Sequence, residues 1–321
     1  MFLTFFIKKN LDFLRRIKFL YKNRKWAERK IHLGSDYKDK VFFVCRRFTP
    51  YNGIGSHIIV FLGMLDYKQR KYPDAIPLID MKNYKQEIAE TTENAWELFF
   101  EQPNNCGVNL NTINNAKNVI LSNGYYTEPN PYNLPEYFTY EELKEKGWAD
   151  LFNRFFRLQP LLKQKFDIRV NELFNGSKKI LGVKIRGTDY AKLTPSGHSI
   201  QPTSTQTINI VKDFLKNHSD YTNIFLATED KSIYLDFEKE FQEQLIVASD
   251  KFIDYHGGII TYNYNDSSIS KTEMTTEYLL ELYCLSKCNS FVFGKNSGVI
   301  TTLLFNAGRF ENTISIDLGK Y

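Results

Sequence analysis

Histidine and cysteine are scarce here, five and four in 321 residues. The histidines are scattered and form no cluster at metal-ligand spacing, so the pattern predicts no metal site. Cys45, Cys106, Cys284 and Cys288 make no disulfide framework. Cys284 and Cys288 lie one helical turn apart in an apolar stretch, where cysteine acts as a small hydrophobe, and a reducing cytoplasm is the simplest compartment. No apolar run reaches the length of a transmembrane helix, and charges enter too early for a signal-peptide core. Internal repeats, low-complexity tracts and a Walker A loop are also missing, and no DxD-type acidic pair sits at a strand end.

What is present is a globular composition. The chain carries 20 Tyr and 26 Phe, an ordinary share of charge and a net charge of +5, which excludes a disordered polyelectrolyte. Its length accommodates two domains. Positive charge concentrates in residues 1–40, where Leu3, Phe6, Ile7, Phe13, Leu14, Ile17, Leu20 and Tyr21 recur at helical spacing among Lys8, Lys9, Arg15, Arg16 and Lys22. Such a basic amphipathic helix suits the anionic surface of a membrane, and equally a helix packed on its own domain with a solvated basic face. No basic stripe interleaved with aromatics follows, so nucleic acid is not an expected partner.

Residues 41–176 read as a first Rossmann-like domain. VFFVCRRF (41–48) predicts a strand, Asn52-Gly53-Ile54-Gly55-Ser56 a Gly-rich turn, and residues 57–73 an apolar helix. Strand, turn and helix in that order present backbone N–H groups to an anion, so Asn52, Gly53 and Gly55 are candidate ligand contacts; a tight structural turn fits the same residues. AIPLIDM (75–81) and VILSNG (119–124) predict further strands. Residues 92–103 predict a capped, aromatic-rich helical wall, residues 125–140 a surface loop, and 140–173 a helical crossing.

Residues 177–321 alternate strand and helix, the signature of a doubly wound parallel sheet. Three strand ends carry the chemistry. ILGVKI (180–185) delivers Lys184, Arg186, Gly187, Thr188 and Asp189; NIFLATED (223–230) delivers Thr228, Glu229 and Asp230; SFVFG (290–294) delivers Asn296, Ser297 and Gly298 at a helix start. An arginine fork and a helix N-terminus together suit a pyrophosphate, and Gly187 lets backbone approach a ligand closely.

In order and spacing, GVKIRGTD, IFLATED and EYLLELYCLSKCNSFVFGKNSGV resemble the donor-domain motifs of GDP-fucose-dependent fucosyltransferases, over about residues 178–308. The likeness is greatest to core α1,6-, nodulation and bacterial polysaccharide fucosyltransferases, and extends distantly to protein O-fucosyltransferases. The resemblance implies a GT-B glycosyltransferase, two Rossmann-like domains facing across a cleft, with a GDP-sugar as donor substrate and no cofactor. It implies inverting transfer of L-fucose to a hydroxyl of an oligosaccharide or polysaccharide acceptor in bacterial surface-polysaccharide synthesis, and the basic N-terminal helix is the part that could meet the inner face of the membrane. Another GDP-sugar such as a heptose, or a non-catalytic glycan- or nucleotide-binding relative, fits the same motifs. By resemblance Arg186 binds the β-phosphate, Ser297 a phosphate, Glu281 the guanine edge and Glu229 the donor, while Asp189 organises the loop. Lys184 stands where the family has histidine, and Gly187 where it has a second arginine. The family's base has no clear counterpart, Thr194 falling near its place; His198 is a candidate, and Tyr190 and Lys192 are candidates to face the acceptor.

Overall fold

A computed structural model describes residues 18, 21, 24–48, 53–82, 88–91, 93–124, 131–252 and 270–321. The basic amphipathic stretch before residue 24 and Asn52 of the Gly-rich turn lie outside the described residues, apart from residues 18 and 21.

Two sheets organise the chain. The first has the order β1 (Arg29–Ile31), β4 (Val119–Leu121), β2 (Phe42–Arg46), β3 (Ile76–Asp80). Strand β2 runs parallel to both neighbours and β1 antiparallel to β4. Strand β1, short and basic, joins this sheet although it precedes the predicted start of the first domain. The first four residues of β2 are buried, as an inner strand covered on both faces requires. Helix α1 (Ile54–Lys71) follows and buries nearly every residue from Ile54 to Leu65, so it lies between layers rather than on a surface.

Among the described residues of this stretch, 93–103, only Trp96–Phe99 (α2) is helical. The rest covers the open edge of β3. Gln102 Oε1 accepts from Ile79 N (2.8 Å), and Asn94 Nδ2 donates to Ile79 O (2.8 Å). Two side-chain amides thus replace a missing neighbour strand, and a continuous helix could not supply them. Helices α3 (Tyr140–Glu145), α4 (Trp148–Phe155) and α5 (Pro160–Leu173) then cross to the second sheet.

That sheet has the order β7 (Leu245–Ile246), β6 (Asn223–Ala227), β5 (Ile180–Lys184), β8 (Ser290–Gly294), β9 (Asn312–Ile316), all parallel. Numbered within the sheet this is 3-2-1-4-5, so the chain reverses its direction of travel between β5 and β8. The connecting helices are α6 (Thr188–Leu193), α7 (Ser204–Asn217), α8 (Lys231–Phe241), α9 (Lys271–Leu285) and α10 (Ser297–Asn306). Thr203 opens α7 with a capping box to Gln206.

One continuous apolar cluster lies between the sheets, taking in Phe43, Phe61, Trp96, Phe152, Phe225, Leu282, Phe291 and Leu303. Phe152 of α4 meets Phe305 of α10 edge-on at 5.2 Å. Smaller clusters cover the outer faces, around Val183 and Phe237 on the second sheet and around Phe42 and Leu78 on the first. Helices α1, α9 and α10 therefore pack in a shared layer, and this brings the first Gly-rich turn to the strand ends of the second sheet.

Candidate donor-binding site

Open parallel sheets bind ligands outside the carboxyl ends of their strands at the point where strand order reverses. Here that point lies between β5 and β8, where Lys184, Arg186 and the 294–298 turn stand side by side.

Lys184 ends β5 and is only 3% exposed. Its Nζ lies 5.2 Å from the Tyr278 ring centroid, over the face, and among the described residues it makes no hydrogen bond and no ion pair. Burial lowers its pKa, as does the charge of Arg186, against the pull of Glu281 and Glu229. Glu281, one turn beyond Tyr278 on α9, is partly buried. Burial pushes its carboxyl up to about 7, with Lys184 opposing and Glu229 and Glu277 adding to the rise. A cation and a carboxyl of displaced pKa, electrostatically coupled beside a strand end, form the kind of pair found where ligands bind. Arg186 is partly exposed beside them.

The third strand end is the start of α10. Asn296 caps it, its Oδ1 accepting from Gly298 N (3.0 Å) and Val299 N (3.3 Å), and its Nδ2 donates to Gly294 O (3.0 Å). Asn296 therefore shapes the helix start instead of offering a free amide to a ligand. Ser297 and Gly298 form the first turn. A Cβ on Gly298 would lie 2.5 Å from Tyr278 Oη and 3.0 Å from Lys184 Cε, and one on Gly55 would lie 2.9 Å from Tyr278 Oη and 3.3 Å from Ser297 Oγ. The N-termini of α1 and α10 thus meet around one tyrosine hydroxyl, with the positive ends of both dipoles close together. Both glycines allow this approach, which is the reason for glycine in each turn. Behind α1, buried Arg47 donates to Ser56 Oγ (3.1 Å).

Gly187 has a different role from the predicted one. A Cβ there would fall 2.4 Å from Asp230 Oδ2, so a carboxylate of the protein fills the space expected for ligand. Asp230 accepts from Thr188 N (2.9 Å) and, through Oδ1, from Ser232 N (2.8 Å), capping α8 while holding the β5 loop. Thr188 adopts φ 44° and donates to Glu229 Oε1 (2.9 Å), and Thr228 is buried with its hydroxyl accepting from Asp230 N (3.3 Å). Asp189 lies in the first turn of α6, and the side chains of residues 189–191, Tyr190 included, lie outside what the structure describes. His198 is exposed on a loop whose backbone pairs with the C-terminal residues, Tyr321 N donating to His198 O (3.0 Å). Lys192 and Thr194 are exposed as well.

The structure thus gathers Lys184, Arg186, Glu229, Glu281, Ser297, Gly298 and Gly55 at one edge and assigns Gly187, Thr228 and Asn296 to its scaffold. Tyr278 was not singled out from the sequence, and Asp230, expected at a strand end, serves the scaffold as well. Tyr278 carried one signal, its position three residues before Glu281 on the same helix face. Among the described residues no three His, Cys, Asp or Glu side chains group as metal ligands, and no helix is long and apolar enough to cross a membrane.

Two α/β sheets, parallel but for the edge strand β1, the second with its switch point facing the Gly-rich turn of the first, give the GT-B architecture. Among solved structures the chain is similar to the NodZ α-1,6-fucosyltransferase soaked with GDP-fucose: 16% identity, TM-score 0.51, covering 87% of this chain and 96% of that one. The NodZ fucosyltransferase from Bradyrhizobium in selenomethionine form matches at 16% identity and TM-score 0.50 with the same coverage. POFUT1 in complex with GDP matches at 10% identity and TM-score 0.51, over 86% of this chain and 99% of that one. These matches show a shared fold. As a sequence the chain matches no protein-family model and no curated protein.

Proposed function

We propose that the chain is a glycosyltransferase that moves L-fucose from GDP-fucose to a hydroxyl of an oligosaccharide or polysaccharide acceptor. The observation that carries this reading is the Lys184 ammonium at the switch point, buried and without a hydrogen-bond acceptor among the described residues, beside Arg186 and below two converging helix N-termini. The fold shared with fucosyltransferases that bind GDP-fucose or GDP supports the choice of donor.

In the proposed reaction the acceptor oxygen bonds to the anomeric carbon as the bond from that carbon to the β-phosphate oxygen breaks. The electron pair leaves on GDP, and the acceptor proton passes to a base. Arg186 and the N–H groups at the start of α10 stabilise the charge developing on the diphosphate, the contribution expected to dominate. Glu281 accepts hydrogen bonds from guanine N1–H and N2–H2, two donors in a row that adenine does not present. Attack opposite the leaving group inverts the anomeric centre. His198 is the candidate base, and Asp189 organises the loop that carries Arg186. Surface-polysaccharide synthesis in the cytoplasm, with residues 1–40 meeting the membrane, is the proposed setting, and residues 41–176 and 177–321 are the proposed acceptor and donor domains.

The test is release of GDP from GDP-fucose, compared with GDP-mannose and UDP-glucose, with and without a mixture of glycan acceptors. Acceptor-stimulated release from GDP-fucose supports the reading; stimulated release from UDP-glucose alone would refute it.

A further inference from the structure

Helix α9 carries Tyr278 and Glu281, yet its first turn is held from the other sheet. Glu90, in the segment that follows β3, aims its carboxylate at the helix start: Oε1 accepts from Lys271 N (2.6 Å), and Oε2 accepts from Thr272 N (3.1 Å) and Thr272 Oγ1 (3.0 Å). The contact is reciprocal, since Glu90 N donates to Thr272 Oγ1 (3.2 Å). One turn on, buried Thr275 donates through Oγ1 to Ile88 O (2.8 Å). The helix's own cap, Ser270, serves only Glu273 N (3.0 Å).

A helix start leaves its first N–H groups without internal partners, and a negative charge there is favoured by the dipole. Two of those groups here depend on a carboxylate from the first sheet's layer. Tyr278 follows Thr275 by three residues, so the same face that meets the 88–91 segment continues to Gly55 and Lys184. We propose that Glu90 is a positioning residue: through this clasp it sets where Tyr278 and Glu281 stand in the donor site. The inference rests on the donor-site reading for its effect on GDP and stands apart from it for its effect on the helix.

The experiment compares wild type, Glu90→Ala and Ser270→Ala by amide hydrogen exchange along α9 and by GDP calorimetry. Ser270→Ala removes a cap from the same helix without touching the first sheet, so it controls for simple fraying. The expected result for Glu90→Ala is faster exchange reaching Tyr278–Glu281 and GDP binding weaker by about ten-fold or more, the size expected for losing charge-assisted bonds. Ser270→Ala frays only the first turn and changes GDP affinity by less than about two-fold, as for a locally frayed cap. Equal effects of the two variants, or exchange at Tyr278–Glu281 unchanged in Glu90→Ala, would overturn the proposal. If Glu90→Ala does not fold, Thr275→Val, which deletes only the bond to Ile88, is read the same way. If wild type fails to bind GDP, the donor reading falls, and the exchange data alone decide the role of Glu90.

Discussion

Lys184 and Glu281 carry the proposed donor site at the residue scale, and burying both charges has a cost to the fold. A buried ammonium without an acceptor destabilises the native state, and its lowered pKa expresses the same fact. Lys184→Met, similar in volume and without charge, is therefore expected to raise Tm by a few degrees, about 1 kcal/mol, while weakening GDP binding at least about ten-fold. Thermal melts and calorimetry on one preparation check both. In the proposed donor site Glu281 would read guanine only as a carboxylate. With its carboxyl pushed up to about 7, GDP affinity falls as pH drops below that value, by up to about ten-fold per unit. The terminal phosphate titrates near pH 6 as well, so the measurement is the difference from Glu281→Gln, which lacks this component. For stability the sign is opposite. The native state holds the Glu281 proton more tightly than the unfolded chain, so this group's stabilising contribution is present below about pH 4 and lost as pH rises through about 7.

Among the elements, the meeting of α1 and α10 is the most exacting. Gly55→Ala puts a Cβ 2.9 Å from Tyr278 Oη and 3.3 Å from Ser297 Oγ, so the helices must separate or the tyrosine must turn. The expected cost is about 1–3 kcal/mol, with a parallel loss of GDP affinity. Chemical denaturation and binding curves of the variant check it, and unchanged values for both would show that the junction yields freely. Most elements were legible beforehand. The apolar runs at 42–46, 76–80, 180–184, 223–227 and 290–294 all became strands. Others were not. Three residues, Arg29–Ile31, carry too little pattern to mark an edge strand. The aromatic wall of 92–103 proved to be mainly edge cover, because Asn94 and Gln102 bond to β3 through contacts that no local periodicity encodes. At the site, the strand-end placement of Arg186 and Ser297 was readable from type and position, while Glu281 entered only through the resemblance to the fucosyltransferase motifs. Asp230 filling the space at Gly187, and Asn296 spending its side chain on a cap, depend on neighbours brought in by tertiary packing.

At the scale of the whole molecule, the two sheets share a single inner apolar cluster instead of two separate cores. That arrangement ties the first Gly-rich turn, the 88–91 segment and the donor-side helices into one mechanical unit. It also explains why a chain with 16% identity to NodZ, or 10% to POFUT1, reaches the same fold: strand order, helix layering and a few close glycine contacts define the crevice, while most surface residues are free to differ. The central claim is that this crevice takes a guanosine diphosphate through Arg186 and its neighbours. The most direct measurement is calorimetric binding of GDP, UDP and ADP to wild type and Arg186→Ala. The account predicts GDP-selective binding that weakens at least about a hundred-fold in the variant, the size of a lost bidentate contact to phosphate. Equal binding of the three nucleotides, no binding at all, or GDP affinity unchanged by Arg186→Ala would contradict it.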